Sequence, residues 1–218
     1  MSATELLILF IISLIANLLS ALAGGGAGLL QLPALLFLGL PFPTALATHK
    51  IASVALGVGA SIRHWQSEKL DVRFSLFILA AGLPGVWLGT QVILDVPEHW
   101  AKLALGILTI GIGVYSLFKP NLGQKNETRT HSFRELSIGC SVLFIIGVLN
   151  GSLTSGTGLF VTLWLIRWFG FDFTRAVAYT LILVGLFWNG VGALFLAQQT
   201  TVAWTWLPPL LLGSLVGG

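Results

Sequence analysis

Polar positions are the exceptions along most of this chain. Apolar segments run at about 6–23, 29–40, 44–62, 74–94, 100–118, 136–150, 159–170, 174–197 and 204–218, separated by short polar clusters. None reads as the alternating apolar and polar strand, about 10 residues long, of a membrane barrel. Most approach the roughly 20 residues that a helix needs to cross a bilayer. The pattern predicts an all-α polytopic membrane protein. Two segments fall short. Leu29–Leu40 and Leu159–Gly170 hold 12 residues each, ~18 Å as helices against a hydrocarbon core of ~30 Å. Glycine-bearing strings precede both: "GGGAG" at Gly24–Gly28 and "SGTG" at Ser155–Gly158. They predict half-helices that each follow an unwound bend. Non-helical backbone at membrane depth must be buried in protein or line a cavity.

The one long polar stretch, "KPNLGQKNETRTHSFRE" from Lys119 to Glu135, divides the chain into two similar halves. The expected organisation is a first repeat at 1–118, a cytoplasmic linker at 119–135 and a second repeat at 136–218. Gly26-Ala27-Gly28 matches Gly156-Thr157-Gly158. After one extra residue, "GLPFPTALAT" (Gly39–Thr48) matches "GFDFTRAVAY" (Gly170–Tyr179), and Gly82 falls opposite Gly213. The second half then lacks a counterpart of 100–118, so the expectation is a fragment whose C-terminal span is missing.

Charge changes the picture by setting topology. If each glycine bend is a hairpin, the basic loop Arg63–Arg73, the linker and the Arg167/Arg175 turn share one side. "DVPEHW" (Asp95–Trp100), "QQTT" (Gln198–Thr201) and the N-terminus then share the other. A single broken span over 6–40 would scatter the positive loops instead. The hairpin option obeys the positive-inside rule. It makes the halves two inverted repeats, each beginning with a glycine-broken helical hairpin. Secondary transporters with this architecture bind substrate near the midplane, where paired broken helices meet.

Composition excludes several classes. The chain is 56% hydrophobic and 9% charged, with a mean hydropathy of +0.92. Its net charge of +3 sits in short loops, which gives no nucleic acid a surface. Cys140 is the single cysteine, so neither an internal disulfide nor a thiolate metal site is expected, and no cofactor is called for. Ala21-Leu22-Ala23 imitates a signal-peptidase site, but "MSATE" carries Glu5 and no basic residue. The first segment is therefore read as a retained helix.

The expected ligand is a small anion. N–H groups at Gly26–Leu30 and Gly156–Phe160 begin the two half-helices, and helix N-termini attract negative charge. Gly24, Gly25, Gly26 and Gly28 in one bend, and Gly156 and Gly158 in the other, let the backbone turn and approach a ligand closely. Ser152, Thr154, Ser155 and Thr157 add hydroxyls to the second bend, and Gln31 adds an amide beside the first. Lys50 lies inside an apolar helix, where a charge usually faces a cavity; the plainer reading is snorkelling to the interface. His49 is either a proton relay or an interfacial polar residue. Asn189 is mid-span, as a site residue or an interhelical hydrogen bond. Thr48 and its repeat counterpart Tyr179 are expected in the same cavity. Arg175 reads as a topological anchor, and Trp65, Trp100, Trp204 and Trp206 as an interfacial belt. Gly57-x-Gly59 and Gly190-x-Gly192 read as helix-packing contacts.

The stretch "ALAGGGAGLLQLPALLFLGLPFPTALATHK" resembles the N-terminal signature of the TauE/SafE family, the toluene-sulfonate uptake permeases. That signature is a glycine-rich bend, a following proline (Pro33), "GLP" and an A-x-A-T-N-K-like string. Here the string is Ala45-Leu46-Ala47-Thr48-His49-Lys50, with His where Asn is usual. "NGSLTSGTGLFVTLWLIRWFGFDFTRAVAY" is similar in outline to the second glycine motif, with fewer glycines and no proline opposite Pro33. The resemblance covers essentially the entire chain. It implies a multi-pass permease of the bacterial cytoplasmic (inner) membrane for sulfite, sulfonates or related anions, with the lipid bilayer as its other partner and homo-oligomerisation left open. Two alternatives remain: an anion channel, and an intramembrane serine hydrolase using Ser155 with His49 or His64 as base. Ser155 belongs to a motif duplicated at Gly25 without a hydroxyl, which favours a binding cradle over catalysis.

Overall fold

The computed structural model describes residues 2–64, 70–117 and 132–218. Trp65 and most of the linker lie outside them, as does the side chain of His64. The described residues are helical and contain no strand. Among the described residues, five helices are long and apolar enough to cross a membrane: Ala3–Ala23 (α1), Phe42–Ile62 within α3 (Phe42–His64), Val72–Asp95 (α4), Phe133–Ser152 (α6) and Phe173–Gln199. The last is built from α8 (Phe173–Tyr179), a π-helical stretch at Thr180–Trp188 and α9 (Asn189–Gln199). Between them lie the short α2 (Gln31–Phe37), α5 (Glu98–Leu117), α7 (Thr157–Arg167) and α10 (Leu207–Gly217). The first half-helix is shorter than expected, because a 3-10 turn at Ala27–Leu29 takes up its start.

Both glycine segments turn the chain back on itself. Gln31 Nε2 donates to Ser13 Oγ at 2.8 Å; in one continuous helix these residues would stand ~27 Å apart. Likewise Trp168 Nε1 donates to the Glu135 carbonyl at 3.1 Å, although ~50 Å of straight helix would separate them. The segments α1–α2 and α6–α7 are therefore helical hairpins. Each first arm starts on a capping box, Ser2 with Glu5 and Ser132 with Glu135, in which side chains satisfy the first orphan N–H groups.

Two helix pairs pack in a similar way. The most extensive helix contacts are α4 with α6 and α1 with α10. A Cβ on Gly85 would meet the Phe144 carbonyl and Val148 N; one on Gly217 would meet the Leu14 carbonyl and Leu18 N. Leu14 and Leu18 precede the first bend as Phe144 and Val148 precede the second. The contacts thus pair Gly85 with Gly217, one step out of the Gly82–Gly213 register expected from sequence. Apolar side chains gain little by leaving lipid, so close backbone approach at small residues holds such helices together. Across the middle, α3 runs antiparallel to Phe173–Gln199: Lys50 opposes Gly192, Val54 opposes Gly190 and Gly57 opposes Gly185. Gly57 and Gly59 are close-packing positions, as expected from sequence, the latter against the Leu215 carbonyl.

Candidate functional site

The two bends touch. Gly24, Gly25 and Gly26 have φ of +84°, +112° and +106°, a left-handed run that only glycine adopts without strain. A Cβ on Gly25 would stand 2.7 Å from the Gly158 carbonyl carbon, so backbone meets backbone. The second bend turns at Thr154 (φ 60°) and Gly156 (φ 69°). Thr154 Oγ1 donates to the Asn150 carbonyl and Thr157 Oγ1 to the Thr154 carbonyl, each at 2.7 Å. These bonds hold a non-glycine residue in a conformation that costs about 1–2 kcal/mol.

Between the bends lies a small cavity of ≈ 30 Å³. Of the residues expected at the site, Gly25, Gly26, Gly28, His49, Thr154, Thr157, Gly158 and Asn189 line it. Ser20, Ser53, Asn150 and Thr180 line it as well and were missed. Ser20 and Asn150 occupy matching places, one turn before each bend; the repeat was the signal that could have found them together. Ser53 lies one helical turn after His49, and its hydroxyl stands 3.3 Å from His49 Nε2.

Among the described residues, no carboxylate lines the cavity. Its polar wall is set from behind by Lys50, which is fully buried. Lys50 Nζ donates to Asn150 Oδ1 at 3.1 Å and to Asn189 Oδ1 at 3.4 Å. Asn150 Nδ2 in turn donates to Thr157 Oγ1 at 3.0 Å and to Asn189 Oδ1 at 3.3 Å. Every bond to Asn189 falls on its oxygen, so its Nδ2 donor is left for whatever the cavity holds. Ser20 Oγ is buried without a hydrogen-bond partner, and a buried polar atom left unpaired costs about 1–3 kcal/mol. The π-helical turn supplies Thr180, Leu181, Val184 and Gly185 to the lining; such irregular turns recur at functional sites.

Seven expected residues do not line the cavity. Lys50 sits behind Asn150 and Asn189, which rules out snorkelling. Gln31 sits behind His49, its Oε1 against Nδ1. The Gly24 carbonyl accepts from Thr162 Oγ1. Gly156 turns the second bend, where a Cβ would press on the Ile112 side chain. Ser155 Oγ pairs with Thr109 Oγ1 at 3.2 Å, while Gln31 and Ser53 stand at the two ring nitrogens of His49; no Ser155–His49 dyad forms. Thr48 Oγ1 accepts from Ala203 N at 3.0 Å, and the Tyr179 hydroxyl accepts from Asp71 N at 2.7 Å. Thr48 and Tyr179 thus serve a different task, each tying down the segment that leads into α10 or α4. Arg175 stacks over the Phe171 ring at 4.2 Å, away from the cavity.

A multi-pass helical protein, with two broken hairpins meeting at a polar cavity, has the architecture of a membrane permease. The sulfite exporter TauE/SafE family matches residues 9–218. The chain belongs to that family and is a membrane transporter, not an enzyme. A Haemophilus influenzae protein named probable membrane transporter protein is 33% identical over 178 residues, which are 82% of this chain and 69% of that protein. Escherichia coli YfcA, also named a probable membrane transporter protein, is 27% identical over 214 residues, 96% of this chain and 77% of its own length. Bacillus subtilis YunE, named likewise, is 22% identical over 234 residues, covering 97% of this chain and 85% of its own. No solved structure matches the chain.

Proposed function

We propose that this transporter is a secondary permease for compact sulfur-containing anions, with sulfite as the type, held between the two glycine bends. The observation that carries the reading is the cavity itself: Ser20 Oγ, unpaired, and the Asn189 amide offer it donors, and among the described residues no carboxylate lines it. The N-terminus of α7 adds N–H groups that helix geometry leaves without partners. A cavity of ≈ 30 Å³ matches a few heavy atoms better than an organosulfonate with an extended tail, which requires the bends to part. Glycine bends in direct contact also favour a carrier over a channel, because a continuous pore needs an open path.

The two halves work as inverted repeats about this cavity. Support comes from the reciprocal α4–α6 and α1–α10 contacts, the antiparallel crossing of α3 with Phe173–Gln199, and the matched roles of Thr48 and Tyr179. Rocking one hairpin against the other would then expose the cavity to each side in turn. The basic linker marks the cytoplasmic side.

The test is flux of sulfite, thiosulfate, sulfate and sulfonates in proteoliposomes, with Lys50→Ala and Ser20→Ala compared. Sulfite flux should saturate and should fall on the order of tenfold in Lys50→Ala, because Asn150 and Asn189 lose the donor that orients them. Ser20→Ala should weaken sulfite binding by a smaller factor. Flux of none of these anions, or a large unitary conductance, would refute the permease reading.

A further inference from the structure

Resting on the permease reading, we infer that His49 is the proton-carrying group that couples anion movement to proton movement. The geometry begins at Ser13, whose hydroxyl donates its hydrogen to the Leu210 carbonyl at 2.6 Å. Ser13 Oγ can therefore only accept from Gln31, which it does from Nε2 at 2.8 Å. That bond fixes the Gln31 amide, with Oε1 turned to His49 Nδ1. An amide oxygen only accepts, so Nδ1 carries the hydrogen of the neutral ring.

The lone pair is then on Nε2, the nitrogen on the cavity side. A Cβ on Gly28, another lining residue, would stand 3.0 Å from Nε2; the missing side chain leaves that nitrogen room to meet a guest. A proton can be gained only at Nε2, where it makes a new donor and a positive charge beside the bends. That charge and an anion in the cavity attract at short range in a poorly screened site. Each raises the affinity for the other by the same factor, which is the thermodynamic content of coupling. In the step itself, one O–H bond of an incoming acid, hydrogensulfite or hydronium, breaks as the Nε2–H bond forms. On the far side the proton returns to water as the anion leaves.

The groups around the ring suit this role. Gln31 from α2, Ser53 from α3 and Gly28 from the first bend lie beside it. Among the described residues, Lys50 is the titratable neighbour, and its Nζ is turned onto Asn150 and Asn189. None of the described carboxylates lines the cavity.

The experiment measures protons moved per anion in proteoliposomes holding a pH dye. Sulfite is compared with thiosulfate, which does not buffer near neutral pH, for wild type and His49→Gln. Wild type should carry about one proton per anion, and the ratio should fall toward zero in His49→Gln whatever flux remains. Where that variant moves too little anion for a ratio, ¹⁵N-histidine spectra of the wild type in nanodiscs give the answer. They should show Nδ1 protonated and Nε2 titrating, at a pH that rises when sulfite is added. A lone pair on Nδ1, a titration indifferent to sulfite, or proton movement retained in His49→Gln overturns the inference. Wild-type protein that moves anions without protons overturns the coupling and leaves the permease reading standing. Wild-type protein that moves none of the anions overturns both.

Discussion

The two bends reach the same turn by opposite means. The first discards side chains: three successive glycines take φ near +100°, and Gly25 lies against the backbone of the other bend. The second keeps its side chains and bonds them, with Thr154 held left-handed by hydroxyl-to-carbonyl bonds around it. At the contact itself the two agree: Gly25 meets Gly158, glycine against glycine, because backbones this close leave no room for a side chain on either. One bend turns on bare backbone and the other on hydroxyls that donate their hydrogens to its own carbonyls, so a similar turn need not have a similar chemistry.

The largest effect should come from filling the bare bend. Gly25→Val places a branched side chain at φ +112° and 2.7 Å from the Gly158 carbonyl carbon. Left-handed strain and overpacking together should cost about 3 kcal/mol or more. Thermal unfolding in detergent should show a lower midpoint, and sulfite flux should vanish; a wild-type midpoint would show that the bends are not in contact. Next in size is Asn189→Asp, which puts a carboxylate into a cavity that no described carboxylate lines. Anion flux should drop on the order of tenfold or more, whereas an unchanged rate would remove Asn189 from the anion's path.

A smaller effect sharpens the contrast directly. Thr154→Gly makes the second bend resemble the first. Relief of left-handed strain offsets the lost hydroxyl bond to the Asn150 carbonyl, and stability should change by about 1 kcal/mol or less. A loss several times larger, read from the same unfolding curves, would mean that the hydroxyl bonds alone maintain that bend.

The smallest effect belongs far from both bends. Glu98 Oε1 accepts from Phe42 N at 3.0 Å and pairs with Lys102 at 2.9 Å, capping α3 from the start of α5. The Lys102 hydrogen bond, then the Phe42 amide, hold this exposed carboxyl below the ordinary carboxylate value. Its folded form is thus the more acidic one. The contribution to stability is present above the unfolded value and is lost as pH falls through the folded one. Glu98→Gln should lower the unfolding midpoint slightly at pH 7, and the gap to wild type should close in strong acid. A gap that persists there would mean the effect is packing and not charge.

Much of this was legible in the chain. Apolar run lengths located the helices to within a few residues, because a bilayer leaves the backbone no alternative to bonding itself. The glycine strings located both bends, because few other residues tolerate those angles. Thr48 and Tyr179 were expected in the cavity, and neither lines it. What they do was not visible, since their partners, Ala203 and Asp71, lie in distant loops. Ser20 and Asn150 escaped notice as ordinary polar residues at helix ends.

Sequence alone therefore determined a helical membrane protein with two breaks, and the family to which it belongs. Those are properties of local backbone chemistry and of solvent. Only the tertiary structure decided that the breaks meet, that Lys50 orients Asn150 and Asn189 from behind the cavity wall, and which nitrogen of His49 faces the cavity. Each of these depends on hydrogen-bond partners up to 139 positions apart. No local pattern encodes such pairs; they exist once close-packed helices bring the polar groups together where water cannot satisfy them.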